Sequence, residues 1–297
     1  MASCFNCPLM CGADRSKGET GACGVGGASF AARAARHFFE EPPISGTLGS
    51  GAIFFTGCNM RCVFCQNIEI STKGGEDLCA QPLDKTRLAE VMLRLQELGS
   101  HNINLVTPTP HLELILAAIP EARSRGLTVP IVYNTNGYER AESIKRLEGL
   151  VDIYLPDLKY VSPRLSLKYS GRADYFDFAA PALAEMQRQA GVMTADENGI
   201  AVKGLMVRHL VLPAAVDETR RVLDYIHDNF PQETYISLMS QYTPIQNMKK
   251  PLDRRLKKAE YDRAVDYAIS LGFTNVFIQA LSSAEKDFTP DFNGFFE

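Results

Sequence analysis

Three cysteines within eight residues carry the densest chemistry in this 297-residue chain. They stand in Gly57-Cys58-Asn59-Met60-Arg61-Cys62-Val63-Phe64-Cys65-Gln66-Asn67, at spacings of four and three. Thiolates this close on one loop can share a single iron-sulfur cluster, which proteins normally hold through cysteine sulfur. Three protein ligands on a four-iron cluster leave one iron open, and an open metal position is where chemistry rather than structural support is expected. The competing readings are buried free thiols, or a zinc site that Cys79 or His101 would complete. The triad directly follows the first strand of a repeated strand-helix pattern, which favours the cluster.

A second set, Cys4, Cys7, Cys11 and Cys23, reads Cys-x2-Cys-x3-Cys-x11-Cys. Four thiolates suffice for a closed tetrahedral site. Zinc there would be structural and a second iron-sulfur cluster would be an electron relay, while a module without metal is the third option. The opening Met1-Ala2-Ser3-Cys4-Phe5-Asn6-Cys7 lacks the basic start and apolar core of a secretory signal, which points to the cytoplasm. Thiols stay reduced there, so eight cysteines speak for metal or catalysis over disulfides.

Composition narrows the remaining classes. With 45% apolar and 22% charged residues the chain has the make-up of a folded globular protein, and its length allows a large core. A formal charge of -4 argues against a general nucleic-acid binder, and no apolar run is long enough for a membrane-spanning helix. The histidines form no protease or hydrolase pattern: His37, His101 and His227 read as surface or helix-end residues, and His209 alone falls at an expected site. Lys249, Lys250, Arg254, Arg255, Lys257 and Lys258 read as a solvated face or a surface for an acidic partner. Gly21 to Gly27 lacks the preceding strand of a nucleotide-binding loop.

The elements that must position these residues follow from periodicity. Residues 1–47 read as a Cys- and Gly-rich module ending in a linker around Pro42-Pro43, and 48–297 as an α/β domain with a C-terminal extension. Strands are expected at 52–56, 103–107, 129–133, 151–155, 205–212, 235–238 and 275–278. Helices such as 83–98 and 111–125 alternate with them, and Asp196-Glu197-Asn198-Gly199 marks an inserted hairpin. Repeated strand-helix units build a parallel sheet whose ligands bind at the strands' carboxyl ends, whether it is a closed barrel, a partial one or an open sheet.

Cys58, Cys62, Phe64 and Cys65 match Cys-x3-Cys-x2-Cys with an aromatic before the last cysteine, and in this the chain resembles the radical S-adenosylmethionine (SAM) superfamily. The resemblance covers about residues 50–245. It is nearest to the activating enzymes of glycyl-radical proteins such as pyruvate formate-lyase, in the branch called PflX. It implies a partial (β/α)6-type barrel, a 4Fe-4S cluster on the triad and SAM chelating the open iron. Reductive cleavage would then give a 5′-deoxyadenosyl radical that takes hydrogen from a substrate. Phe64 resembles the aromatic near adenine, Asp157-Leu158-Lys159 the pair that holds the SAM carboxylate, and Arg208 an arginine near SAM.

Departures from the pattern bear on the substrate. Asn134-Thr135-Asn136-Gly137 replaces Asp-Thr-Asn-Gly, removing a carboxylate where some members hold a cation. Thr107-Pro108-Thr109-Pro110 replaces Gly-Gly-Glu, leaving hydroxyls such as Thr107 and Thr109 or backbone carbonyls for the SAM amino group, and Gln241 stands near an expected histidine. The resemblance implies a flavodoxin- or ferredoxin-type electron donor and a glycyl-radical protein as substrate. The alternatives are direct modification of a small molecule or peptide, and a non-catalytic iron-sulfur or zinc protein.

Overall fold

Short β-branched and apolar runs form the strands, and amphipathic runs between them form the helices. The computed structural model describes residues 4–72, 75, 78, 80–280, 292, 295 and 296. Cys79 and most of the C-terminal extension lie outside the described residues. The chain runs through β1 (Ser29–His37), α1 (Pro42–Ser45) and β2 (Ser50–Phe55), then α2 (Ile68–Ser71), β3 (Gln81–Leu83) and α3 (Lys85–Glu97). There follow β4 (Ile103–Val106), α4 (Leu112–Ser124), β5 (Ile131–Thr135), α5 (Ala141–Lys145), β6 (Ile153–Pro156), α6 (Pro163–Ser170) and α7 (Tyr175–Ala190). The last elements are β7 (Thr194–Ala195), β8 (Ala201–Leu210), α8 (Val216–Asn229), β9 (Tyr235–Met239), α9 (Lys258–Ser270) and β10 (Val276–Ile278).

All seven expected strands are present, in the sheet order β10-β9-β8-β6-β5-β4-β2-β1-β3. From β2 to β10 every pairing along this path is parallel, and the parallel run is completed on one edge by antiparallel β1 and β3. Among the described residues the two end strands do not pair with each other, so the architecture is a partial α/β barrel. The expected hairpin joins β7 to β8, and Asp196 Oδ1 accepts the N–H groups of Asn198 and Ile200, both at 2.9 Å, to hold its turn.

β1 was not among the expected strands. Its sequence, Ser-Phe-Ala-Ala-Arg-Ala-Ala-Arg-His, lacks the β-branched residues that mark a strand, and pairing with β2 over Ala31–His37 supplies the order instead. The Pro42-Pro43 stretch, expected as a linker, is a turn of helix that drives Ile44 into the barrel. There Ile44 packs with Val132, Ile153, Leu155, Met193, Ala201 and Met206, near the strands' amino ends. The main core lies outside the sheet, where α3, α4, α7 and α8 bury Leu88, Met92, Ile115, Leu183 and Leu223.

Candidate active site

The carboxyl ends of the strands open into one cavity, which Cys58, Cys62 and Cys65 line together with Phe64, Thr107, Asn134, Asn136, Asp157, Lys159, Arg208 and Gln241. Eleven of the twelve residues expected here are thus brought together. Thr109 is not: Thr107 adopts φ 60° and starts a tight turn that sends Thr109 inward, where it is 1% exposed and donates to Glu139 at 2.5 Å. His209 also departs from expectation. Successive residues of a strand face opposite sides, so Arg208 points into the cavity while His209 lies against Leu158 O (2.7 Å) and Thr219 Oγ1 (3.0 Å). Conversely His37, expected at the surface, lines the cavity, and burial beside Arg33 lowers its pKa to about 4.

The triad loop starts at Gly57, whose φ of 76° suits glycine; a Cβ there would stand 2.6 Å from Val25 Cγ2 and 2.8 Å from Cys23 O. Polar donors and hydroxyls meet the sulfurs. Met60 N–H and Asn136 Nδ2 each donate to Cys58 Sγ at 3.4 Å, Ser170 Oγ lies 3.1 Å from Cys62 Sγ, and Ser71 Oγ is 3.6 Å from Cys65 Sγ. Burial pushes the Cys58 thiol up to about 12 and also raises Cys62, which nearby Lys159 partly offsets. Partly buried thiols surrounded by sulfur-directed donors and a cation are a donor set suited to metal-bound thiolate, which is not left as a bare charge. A cubane is held by thiolates on separate irons, and Cys58, Cys62 and Cys65, lining one cavity, are the residues that could hold a four-iron cluster here.

Opposite the thiols lies a network of alternating charge. Asp157 accepts from Lys159 Nζ at 2.5 Å and from Arg208 Nε at 3.0 Å. Burial opposes its ionisation, yet the two cations hold its pKa below the usual carboxylate value. Arg208 also reaches Asn134 Oδ1 at 2.6 Å and Glu40 Oε2 at 3.2 Å, and Glu40 Oε1 accepts from the amides of Asn104 and Asn134, both at 3.2 Å. Glu40 lines the cavity although its position beside two prolines gave no sign of this. It returns a carboxylate to the neighbourhood of Asn134. The carboxylate Glu139, buried behind the wall, accepts from Thr109, Thr135 and Tyr133, and burial lifts its pKa to about 7.

Phe64 is 7% exposed and meets Tyr242 edge-on at 6.1 Å, forming an aromatic wall beside the triad. Gln241 lies at the mouth, its carbonyl 3.4 Å from Gln66 Nε2. Gly137, at φ 80°, lets the Asn134–Gly137 turn pass against β6, since a Cβ there would stand 2.1 Å from Asp157 O. Cys4, Cys7, Cys11 and Cys23 are not among the residues that line this cavity.

Comparison with known proteins bears on the same residues. A family model described as the radical SAM superfamily matches residues 52–226. An uncharacterized protein of Methanocaldococcus jannaschii, MJ0674, is 30% identical over 275 residues, which are 90% of this chain and 74% of that protein. The FeFe-hydrogenase maturase HydG from Carboxydothermus hydrogenoformans aligns with a TM-score of 0.51 and 17% identity, over 77% of this chain and 53% of that one. Streptococcus suis SuiB bound to its precursor peptide SuiA aligns with a TM-score of 0.50 and 11% identity, over 76% of this chain and 48% of SuiB. At such identities the two structures share a fold with this chain.

Proposed function

The chain belongs to the radical SAM superfamily, and from that premise we propose that it cleaves SAM reductively and uses the 5′-deoxyadenosyl radical to take hydrogen from a substrate. Membership implies a four-iron cluster and SAM as cofactors, and Cys58, Cys62 and Cys65 are the residues we assign to the cluster. When bound, the cluster supplies the electron that splits the sulfonium. The observation that carries this reading is one cavity holding three sulfurs and, facing them, the Asp157–Lys159–Arg208–Glu40 network.

The residues of the chain divide the remaining work. Lys159 and Arg208 offer positive charge to a carboxylate, while Glu40 and Asp157 keep the site near neutrality, so a zwitterionic amino-acid group is matched on both ends. Phe64 and Tyr242 present apolar surface for a flat base. Phe55, Ile70, Val106 and Leu210 line the same cavity and limit water around a reactive carbon. Thr107 and Asn136 supply further polar contacts at the strand ends.

The target we propose is a backbone glycine of a partner protein, as in the activating enzymes, with a flavodoxin- or ferredoxin-type protein as donor. Thr107, Asn134 and Gln241 line the cavity in place of the activase residues, and this favours direct modification of a peptide or small molecule as the second reading. Anaerobically reconstituted, reduced protein given SAM should release 5′-deoxyadenosine, and the Cys58→Ala variant should release none. Absence of the product from the wild-type protein defeats the proposal. Deuterium passing from a glycine-labelled partner into 5′-deoxyadenosine, with a glycyl radical in the electron paramagnetic resonance spectrum, selects the first target over the second.

A further inference from the structure

The stretch that carries the first three amino-terminal cysteines is folded back on itself. Cys4 N–H donates to Ala13 O at 2.9 Å, Gly12 N–H to Cys4 O at 3.1 Å and Met10 N–H to Cys7 O at 3.0 Å, which holds Cys4, Cys7 and Cys11 on one short loop.

The fourth cysteine meets that loop. A Cβ on Gly21 would stand 3.3 Å from Cys11 Sγ and 3.4 Å from Cys23 Sγ, so both sulfurs flank this one glycine. Gly21 N–H donates to Val25 O and Gly24 N–H to Gly21 O, both at 2.9 Å, which closes a turn around Cys23. Arg15, anchored on Pro110 O at 2.5 Å, donates from Nη2 to Cys23 Sγ at 3.3 Å and brings positive charge to the group. Cys7 and Cys23 are buried while Cys11 is exposed, which gives the group an inner and an outer end.

Its inner end is joined to the triad. Cys58 N–H donates to Cys23 O at 3.0 Å, Arg61 Nη2 donates to Ala22 O at 3.0 Å, and Gly57 makes room for both Val25 and Cys23 O. The route from Cys23 Sγ to Cys58 Sγ is therefore a short run of covalent bonds crossed by a single hydrogen bond. We propose that Cys4, Cys7, Cys11 and Cys23 hold a second iron-sulfur cluster, which takes one electron at its exposed Cys11 end and passes it to the triad's cluster through the Cys23–Cys58 contact. In this exchange a one-electron donor protein is oxidised, the amino-terminal cluster is reduced and reoxidised, and the triad's cluster ends one electron richer. The hand-off rests on the proposed function, whereas the metal site does not.

The two parts separate experimentally. A Cys58→Ala, Cys62→Ala, Cys65→Ala variant, reconstituted anaerobically with ferrous iron and sulfide, should keep about four iron and four sulfide per chain. On reduction it should show a cluster signal in electron paramagnetic resonance, and the further change Cys23→Ala should remove it. Zinc without iron in the triple variant, purified after expression with both metals supplied, overturns the relay, and no metal at all overturns the site. For the hand-off, Cys11→Ser is compared with wild type, after iron analysis and circular dichroism show that the variant is folded with its triad loaded. Reduction of the triad's cluster by reduced ferredoxin, followed by freeze-quench paramagnetic resonance, should slow at least about tenfold. Equal rates in the two proteins overturn the relay.

Discussion

Arg208 is the side chain on which the cavity's charge balance turns. It is held by two carboxylates, Asp157 and Glu40, and by the Asn134 amide oxygen, with all four groups largely shielded from water. Removing one partner of a buried network leaves charge unpaired, which typically costs about 3–5 kcal/mol. Arg208→Met should therefore lower the unfolding free energy by that amount, seen as a fall in the denaturant midpoint, while Arg208→Lys, which keeps the charge without the fork, loses less. An unchanged midpoint in the methionine variant contradicts the assignment. Glu139 gives a pH prediction of opposite character. Burial lifts its pKa from about 4.5 to about 7, so between those values the folded protein keeps a proton that the unfolded chain releases. Its contribution is intact below pH 4.5 and lost as pH rises through 7, by up to about 3 kcal/mol. Glu139→Gln should flatten that fall in urea titrations across the range, leaving the part due to Glu41, which burial raises in the same way. An equally steep fall in the variant contradicts the prediction.

At the scale of elements, α1 is the piece with most leverage for its length. A single turn of helix places Ile44, wholly buried, among residues from β5, β6 and β8. Ile44→Ala should cost about 2–5 kcal/mol, the range for deleting a packed aliphatic side chain. Thermal unfolding reads this directly, and a loss below about 1 kcal/mol would show that the packing there is loose. What could be read from sequence divides along the same line. The parallel strands and the triad were legible because strand alternation and cysteine spacing are local patterns. Asp157 and Lys159 were legible because they follow the apolar run 151–155, and Arg208 because its strand resembles the family's fifth-strand motif. β1 and Glu40 were not, since a strand rich in alanine and arginine and a glutamate beside two prolines acquire their roles only from what they pack against. His209 was misplaced for a simpler reason: beside Arg208 on one strand, only one of the two can face inward.

For the whole molecule, residues 29–47 cannot be treated as an appendage. β1 covers the edge of β2 and α1 fills the lower barrel, so a protein beginning at residue 48 presents a bare hydrophobic edge and an unfilled centre. We expect that shortened chain to aggregate, as read by size-exclusion chromatography and circular dichroism. A monodisperse, folded product would show that the barrel stands without it.

The packing around Ile44 also sets the traffic. Among the described residues that packing fills the strands' amino ends, while the cavity that holds the thiols opens at their carboxyl ends. On the proposed function, a nucleoside seated beside the thiols with a larger substrate across that opening would leave only after the substrate does.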